Sequence, residues 1–300
     1  MTTLLAVPNV SEGRDAATID AIGEALASSG GERPGVRLLD IHRDPDHNRS
    51  VYTLAGPPGA LAPALLAGAR AAVERIDLTA HAGVHPHVGA LDVAPIVHLG
   101  PRARGAACAE ALVLGDLLAR DLGLPVLLYG ALAQGRTRAE LRRGGPQELA
   151  RRLAAHELQP DFGPPRAHPT AGATLVAARP PLVAFNVTLS PPATLEQAKT
   201  VAALIREGGA EGIPGLRAIG LALASRGDRP QISMNVERPG ETPLARIAGA
   251  IRRHAPVQAA ELVGLAPAAA FDGFPGDLPI PGFDPARHLI ERALAAPASD

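Results

Sequence analysis

Short apolar runs bounded by turn residues alternate along this chain with longer stretches of helical periodicity. That alternation restricts the chain to a mixed α/β architecture, because all-α and all-β sequences hold a single period throughout. Residues 4–7, 36–41 and 50–55 are predicted strands. Helices are predicted over 16–28 and, after the Pro57-Pro58-Gly59 turn, over 61–76. A strand over 93–98, a helix over 106–122 and a strand over 125–129 follow. An arginine-rich helix over 137–143 and another over 147–155 come next. Prolines and glycines then crowd residues 159–192, which reads as a structured loop and a domain junction.

Beyond that junction the pattern restarts as strand 182–189, helix 195–207, strands 216–223 and 231–236, helix 243–253 and strand 260–263. This βαββαβ order is that of the ferredoxin-like split unit. A last helix is predicted over 285–295. The predicted fold class is therefore α/β (α+β) with two ferredoxin-like subdomains, residues 1–180 and 181–300; the usual domain size agrees with two.

Charge and composition remove several functional classes. The chain has 29 basic and 30 acidic residues, a net charge of −1, so no nucleic-acid footprint or anionic-membrane anchor is expected. A hydrophobic share of 46% is too high for a disordered chain, yet no apolar run reaches the length of a membrane span. The N-terminus lacks a basic region and meets Pro8 early, so it reads as a strand and a cytoplasmic location is expected. Cys108 is the single cysteine, which excludes an internal disulfide framework and a multi-cysteine zinc site. Lys199 is the only lysine; the basic residues are otherwise arginines, whose rigid forks suit carboxylates.

Two polar clusters carry the candidate chemistry. Asp40-Ile-His42-Arg43-Asp44-Pro-Asp46-His47-Asn48-Arg49 lies between two predicted strands, and reads either as a solvated hairpin turn or as a functional loop. His81-Ala-Gly83-Val-His85-Pro86-His87-Val-Gly89-Ala90-Leu91-Asp92 holds three histidines in seven residues. His81 and His85 have helical ligand spacing, but Gly83 and Pro86 oppose a helix there. His85 and His87 could share one side of an extended segment, so a metal reading stays open beside general acid/base catalysis.

These segments fall in a recognisable order with Val7-Pro-Asn9-Val-Ser11-Glu12-Gly13, Asn48-Arg49-Ser-Val-Tyr-Thr53, Asp161-Phe-Gly163-Pro164, Gly172-Ala-Thr174, Ala184-Phe-Asn186 and Leu262-Val-Gly-Leu265. Over residues 4–270 the chain resembles the formiminotransferase domain family. The resemblance implies two subdomains with a ligand groove between them, a homodimer, and transfer of a formimino group between N-formimino-L-glutamate and tetrahydrofolate. It implies His85 as the acid/base residue, tetrahydrofolate as co-substrate, and no metal. The folate loop it implies is Gly163-Pro164-Pro165-Arg166-Ala167-His168-Pro169-Thr170-Ala171-Gly172. Proline fixes this loop's backbone, and its terminal glycines would let backbone approach a flat ligand.

His42, Asn48, Arg49 and Asp92 are substrate-binding candidates; Arg49 and Arg166 are the forks expected to meet carboxylates, and Asp92 could orient the imidazole. This chain has His42 where the vertebrate proteins are expected to have aspartate, and His87 where they have arginine. It stops before their cyclodeaminase domain, so a stand-alone transferase without channelling is expected. Formyl transfer from 5-formyltetrahydrofolate to glutamate, or folate binding without chemistry, are the alternative readings.

Overall fold

The computed structural model describes residues 2–28, 35–224 and 227–297. They divide into two compact units, Met1–Pro180 and Pro181–Asp300. Both are mixed α/β, each built on its own sheet.

The first unit opens with strands β1 (Leu4–Ala6) and β2 (Asn9–Val10) and helix α1 (Ala16–Ser28). The hairpin β3 (Arg37–Asp44) and β4 (Arg49–Gly56), helix α2 (Leu61–Arg75) and strand β5 (Leu91–His98) follow. These elements form a βαββαβ unit whose strands pair antiparallel around β1 and β2. The unit then grows beyond the ferredoxin-like pattern. Helix α3 (Arg104–Leu122) leads to β6 (Val126–Leu128), helices α4 (Arg138–Arg142) and α5 (Gly145–Ala154) follow, and β7 (Thr174–Arg179) joins β5 and β6 in parallel. Seven strands result.

Strand β7 lies where the sequence reading placed only loop and junction, because the neighbouring prolines mask a short parallel strand whose apolar run is only Leu175–Ala178. Strand β2 was likewise missed, since two residues carry no period.

One face of this sheet packs on α1, α2 and α3, with Ile19, Ile22, Leu61, Leu65, Leu114 and Leu118 against Leu4, Tyr52, Leu54 and Ile96. Burying each such leucine stabilises the fold by about 2 kcal/mol. Helix α2 has no side-chain cap of its own. Glu110 of α3 supplies one, accepting from Gly59 N at 2.5 Å and Ala62 N at 2.7 Å, and so places a buried carboxylate at the positive end of the helix. On the opposite face, Leu141 of α4 and Leu149 and Leu153 of α5 cover Val93, Leu127, Tyr129 and Leu175. The β3–β4 end of that face carries the polar residues of the next section.

The second unit runs β8 (Val183–Leu189), α6 (Leu195–Ile205), β9 (Leu216–Leu223), β10 (Arg229–Val236), α7 (Leu244–Arg252) and β11 (Val257–Val263). Its sheet order, β11-β8-β10-β9, is all antiparallel. This is the ferredoxin-like arrangement, with Val183, Phe185, Val187, Ile232 and Met234 packed on Val201, Ile205, Ile247 and Ile251. The final helix is broken into α8 (Pro285–His288) and α9 (Ile290–Ala295). Leu289 is extended there and bridges to Ala266, whose carbonyl accepts from Ile290 N at 3.0 Å. No described helix is long and apolar enough to cross a membrane.

Candidate active site

The polar cluster around Asp44 is a hairpin turn, and the turn is also part of the site. Asp44 Oδ1 accepts from Asp46 N and His47 N, both at 2.9 Å, an aspartate-nucleated turn that leads Asn48 into a left-handed backbone with φ of 48°. Asn48 then ties three segments together. Its Oδ1 accepts from Gly13 N at 2.9 Å, and its Nδ2 donates to Ala82 O at 3.2 Å and to His81 Nδ1 at 3.3 Å. Gly13 admits no side chain, because a Cβ would stand 2.2 Å from Asp44 O and 2.4 Å from Arg49 N. Ser11 completes the convergence through Oγ to Gly89 O at 2.8 Å.

Register explains which side chains meet. Asp44 pairs with Arg49 and His42 with Val51, so Asp44, His42 and Arg49 share one sheet face. On β5, Asn9 pairs with Val93 and Val10 with Leu91, which leaves Asp92 as the extra residue of a bulge. A bulge re-aims its extra side chain. Asp92 is fully buried, and its Oδ1 accepts from Val88 N at 2.8 Å. Its Oδ2 accepts from Arg49 Nη1 at 2.9 Å and from Arg142 Nη2.

Arg49 is fixed on every side. Asn9 Oδ1 accepts from its Nε at 3.0 Å and from its Nη2 at 2.5 Å, while Nη1 lies 2.8 Å from His85 Nδ1. His85 Nδ1 is also 2.8 Å from Pro86 O. The nitrogen holds either a lone pair or a proton, so it serves one partner at a time. Accepting from Arg49 leaves the proton on Nε2; donating to Pro86 O leaves Nε2 a free base.

Burial, followed by the cationic Arg49 and Arg142, holds His85 well below the usual histidine range. The ring is therefore neutral at neutral pH. Burial also lowers Arg49 to about 10, so it stays charged. Burial alone would raise Asp92, but Arg142 and Arg49 outweigh it and keep the carboxylate below its usual value. His47 packs edge-on to His85 at 5.8 Å, its Nδ1 2.5 Å from Asp44 Oδ2. His81 and His87 meet edge-on at 4.2 Å, and burial, then His87, pushes His81 down to about 4. The histidine segment is irregular, so His81 and His85 do not share a helix face. Among the described residues, no group of three His, Cys, Asp or Glu side chains is placed to hold a metal ion.

The proline-rich loop 163–172 lies against this segment. Ala90 N donates to Ala171 O at 2.9 Å, Leu78 N to Thr170 O at 2.8 Å and Ala173 N to Val88 O at 3.0 Å. His168 and Gly172 exchange backbone hydrogen bonds of 2.8 and 3.0 Å, and His168 Nδ1 accepts from Ala171 N at 3.1 Å. The loop's glycines have a structural use that the sequence reading did not foresee. A Cβ on Gly163 would sit 2.4 Å from Leu124 O and one on Gly172 2.2 Å from Val88 O, both at positive φ. They admit the protein's own carbonyls, whatever ligand binds. Gly172→Val is therefore expected to lower the melting temperature clearly, before any effect on ligand binding; an unchanged melting curve would refute the contact.

The family described as formiminotransferase domain, N-terminal subdomain, matches residues 3–179. The chain belongs to the formiminotransferase domain family. It is 35% identical over 297 residues to the glutamate formimidoyltransferase of Streptococcus pyogenes serotype M1, covering 96% of this chain and 97% of that protein. It is 34% identical over 311 residues to the glutamate formimidoyltransferase of Thermoplasma acidophilum, 100% of this chain and 99% of that one. Against the formimidoyltransferase-cyclodeaminase of Rattus norvegicus it is 38% identical over 281 residues. The match takes 88% of this chain but spans about half, 50%, of that relative.

Within this formiminotransferase domain, His85, Arg49 and Asp92 form one hydrogen-bonded group, and Asn48 braces it. His42 lies on the same sheet face but is not among the groups bonded to His85. Arg166 is exposed and makes no hydrogen bond or ion pair among the described residues. The sequence reading missed Asn9, His47 and Arg142 as parts of the site. Arg142 sits in the arginine-rich helix that the sequence did show, but nothing local announces a pairing with Asp92 across 50 positions.

Proposed function

We propose that this chain transfers a formimino group between N-formimino-L-glutamate and tetrahydrofolate, with His85 moving the protons. The observation that carries the reading is an imidazole whose Nδ1 is engaged by either Arg49 or Pro86 O, which leaves Nε2 for substrate. It is supported by the names of the relatives that align over nearly the whole chain, which are glutamate formimidoyltransferases.

In the forward direction a pterin ring nitrogen of tetrahydrofolate attacks the formimino carbon, forming one C–N bond and a tetrahedral intermediate. The C–N bond to glutamate then breaks, and one proton passes from the attacking nitrogen to the departing amine. With Nδ1 donating to Pro86 O, Nε2 takes that proton. The charged ring is disfavoured beside Arg49 and Arg142, so it gives the proton up readily to the leaving amine. Pro86 O, accepting from Nδ1, holds the ring's orientation in this form. Loop 163–172, hydrogen-bonded along Val88–Ala90, is read as a wall for the folate co-substrate. Homodimeric assembly is inferred from the resemblance alone; a constant monomeric mass in light scattering across a dilution series would overturn it.

The test is an assay of formimino transfer to tetrahydrofolate beside formyl transfer from 5-formyltetrahydrofolate to glutamate. Formimino transfer at the higher kcat/KM supports the reading. Formyl transfer alone would replace the donor, and neither reaction would remove the activity.

A further inference from the structure

Arg49 and Arg142 both act on His85, Arg138 acts in turn on Arg49, and one carboxylate answers the three guanidinium groups. Asp92 Oδ2 takes both Arg49 and Arg142, and its Oδ1 is used by Val88 N. The other nearby carboxylates are occupied: Asp44 by His47, Asp161 by Arg136 and Glu140 by the Thr137 cap. Arg49 has no fork left to offer, since Asn9, Asp92 and His85 engage it.

Helix α4 is different. Arg138 and Arg142 stand four residues apart, so both project from one helix face, where like charges repel. Arg138 is half-buried, lies 5.8 Å from the centre of the Tyr129 ring, and has no carboxylate partner among the described residues. It is nonetheless near enough to act electrostatically on Arg49. Arg142 Nε and the Tyr129 hydroxyl are both buried with no hydrogen-bond partner. Buried donors and unbalanced cationic charge at one place call for an anion that the chain does not itself supply.

We propose that Arg138 and Arg142 form the carboxylate subsite for the glutamyl group of the substrate, a role the sequence reading had given to Arg49 and Arg166. The inference rests on the formimino-transfer reading for the identity of the ligand, and on the unpaired Arg138 and the unsatisfied Nε of Arg142 for the site. A fork-to-carboxylate pair is bidentate and charge-assisted, which suits a planar carboxylate better than lysine would. Two ligands share this chemistry: the free amino-acid substrate and the glutamyl tail of the folate. The position beside His85 favours the amino acid, whose nitrogen must reach that ring.

The test is calorimetric titration of the whole protein with N-formyl-L-glutamate and, separately, with 5-formyltetrahydrofolate. Arg138→Met, Arg142→Lys and the exposed Arg143→Met are compared with the parent. Arg138→Met and Arg142→Lys are expected to weaken N-formyl-L-glutamate about 10- to 100-fold, the range for losing one hydrogen bond to a charged group, with Arg143→Met unchanged. In turnover the same two variants raise KM for N-formimino-L-glutamate by a similar factor, with kcat nearly kept for Arg138→Met. Weakening confined to 5-formyltetrahydrofolate would keep the subsite and assign it to the folate tail. Unchanged affinity for both ligands in folded Arg138→Met protein would overturn the proposal. The titrations need no turnover, so they decide the subsite even if no formimino transfer is detected.

Discussion

His85→Ala is expected to lower turnover about 100-fold or more while leaving the fold in place, the usual scale for losing acid/base help. The ring contacts Arg49, Pro86 O and the edge of His47, none of them in an apolar core cluster, so its removal should spare stability. Turnover within a few-fold of the parent would remove His85 from its role.

The pH profile supplies a second check. The neutral ring is the reactive form and its pKa is lowered, so kcat/KM is expected to hold as pH falls through 6.5 and to decline only at lower pH. An acid limb at or above 6.5 would contradict the buried, cationic surroundings. Stability moves the same way. Unfolded histidine takes up a proton near 6.5, whereas folded His85 resists and His81 waits until about 4, so the folded state loses ground progressively as pH falls below 6.5.

Asp92→Ala is expected to be the most damaging single change to stability in the site, at about 3–5 kcal/mol, because it breaks a buried ion pair from one side. Arg49 and Arg142 are each only 11% exposed, and both would face each other without a counter-charge. Val88 N would lose its acceptor as well. Such a loss is a large part of the roughly 5–15 kcal/mol that holds a domain together. Asp92→Asn keeps the acceptor for Val88 N and removes only the charge, so it should fall between the parent and alanine. Urea denaturation with an unchanged midpoint for Asp92→Ala would show that the two arginines do not depend on it.

Much of the framework was legible before any coordinates. The alternation of periods predicted the second unit's six elements in order, each near its observed bounds, because its strands and helices are long enough to display a period. The same reading failed at Asn9–Val10 and Thr174–Arg179. The first is too short to show a period, and the second is a parallel strand flanked by proline. The resemblance supplied His85, and the sequence reading added Asp92 and Arg49, the latter as a fork for substrate carboxylates. In the fold that guanidinium is turned inward, onto Asn9 and Asp92.

The sequence by itself determined the fold class, the absence of a disulfide framework, and the family, because periodicity, cysteine count and motif order are properties of the chain as written. Only the tertiary structure decided which charges meet. Arg49 reaches Asn9 across 40 positions and Asp92 across 43, and Arg142 reaches Asp92 across 50. Those pairings depend on a bulge that re-aims Asp92 and on a helix that returns Arg142 over the sheet. Side-chain charge has no period along a chain; its consequence depends on distance and burial, and both are set when the strands and helices pack.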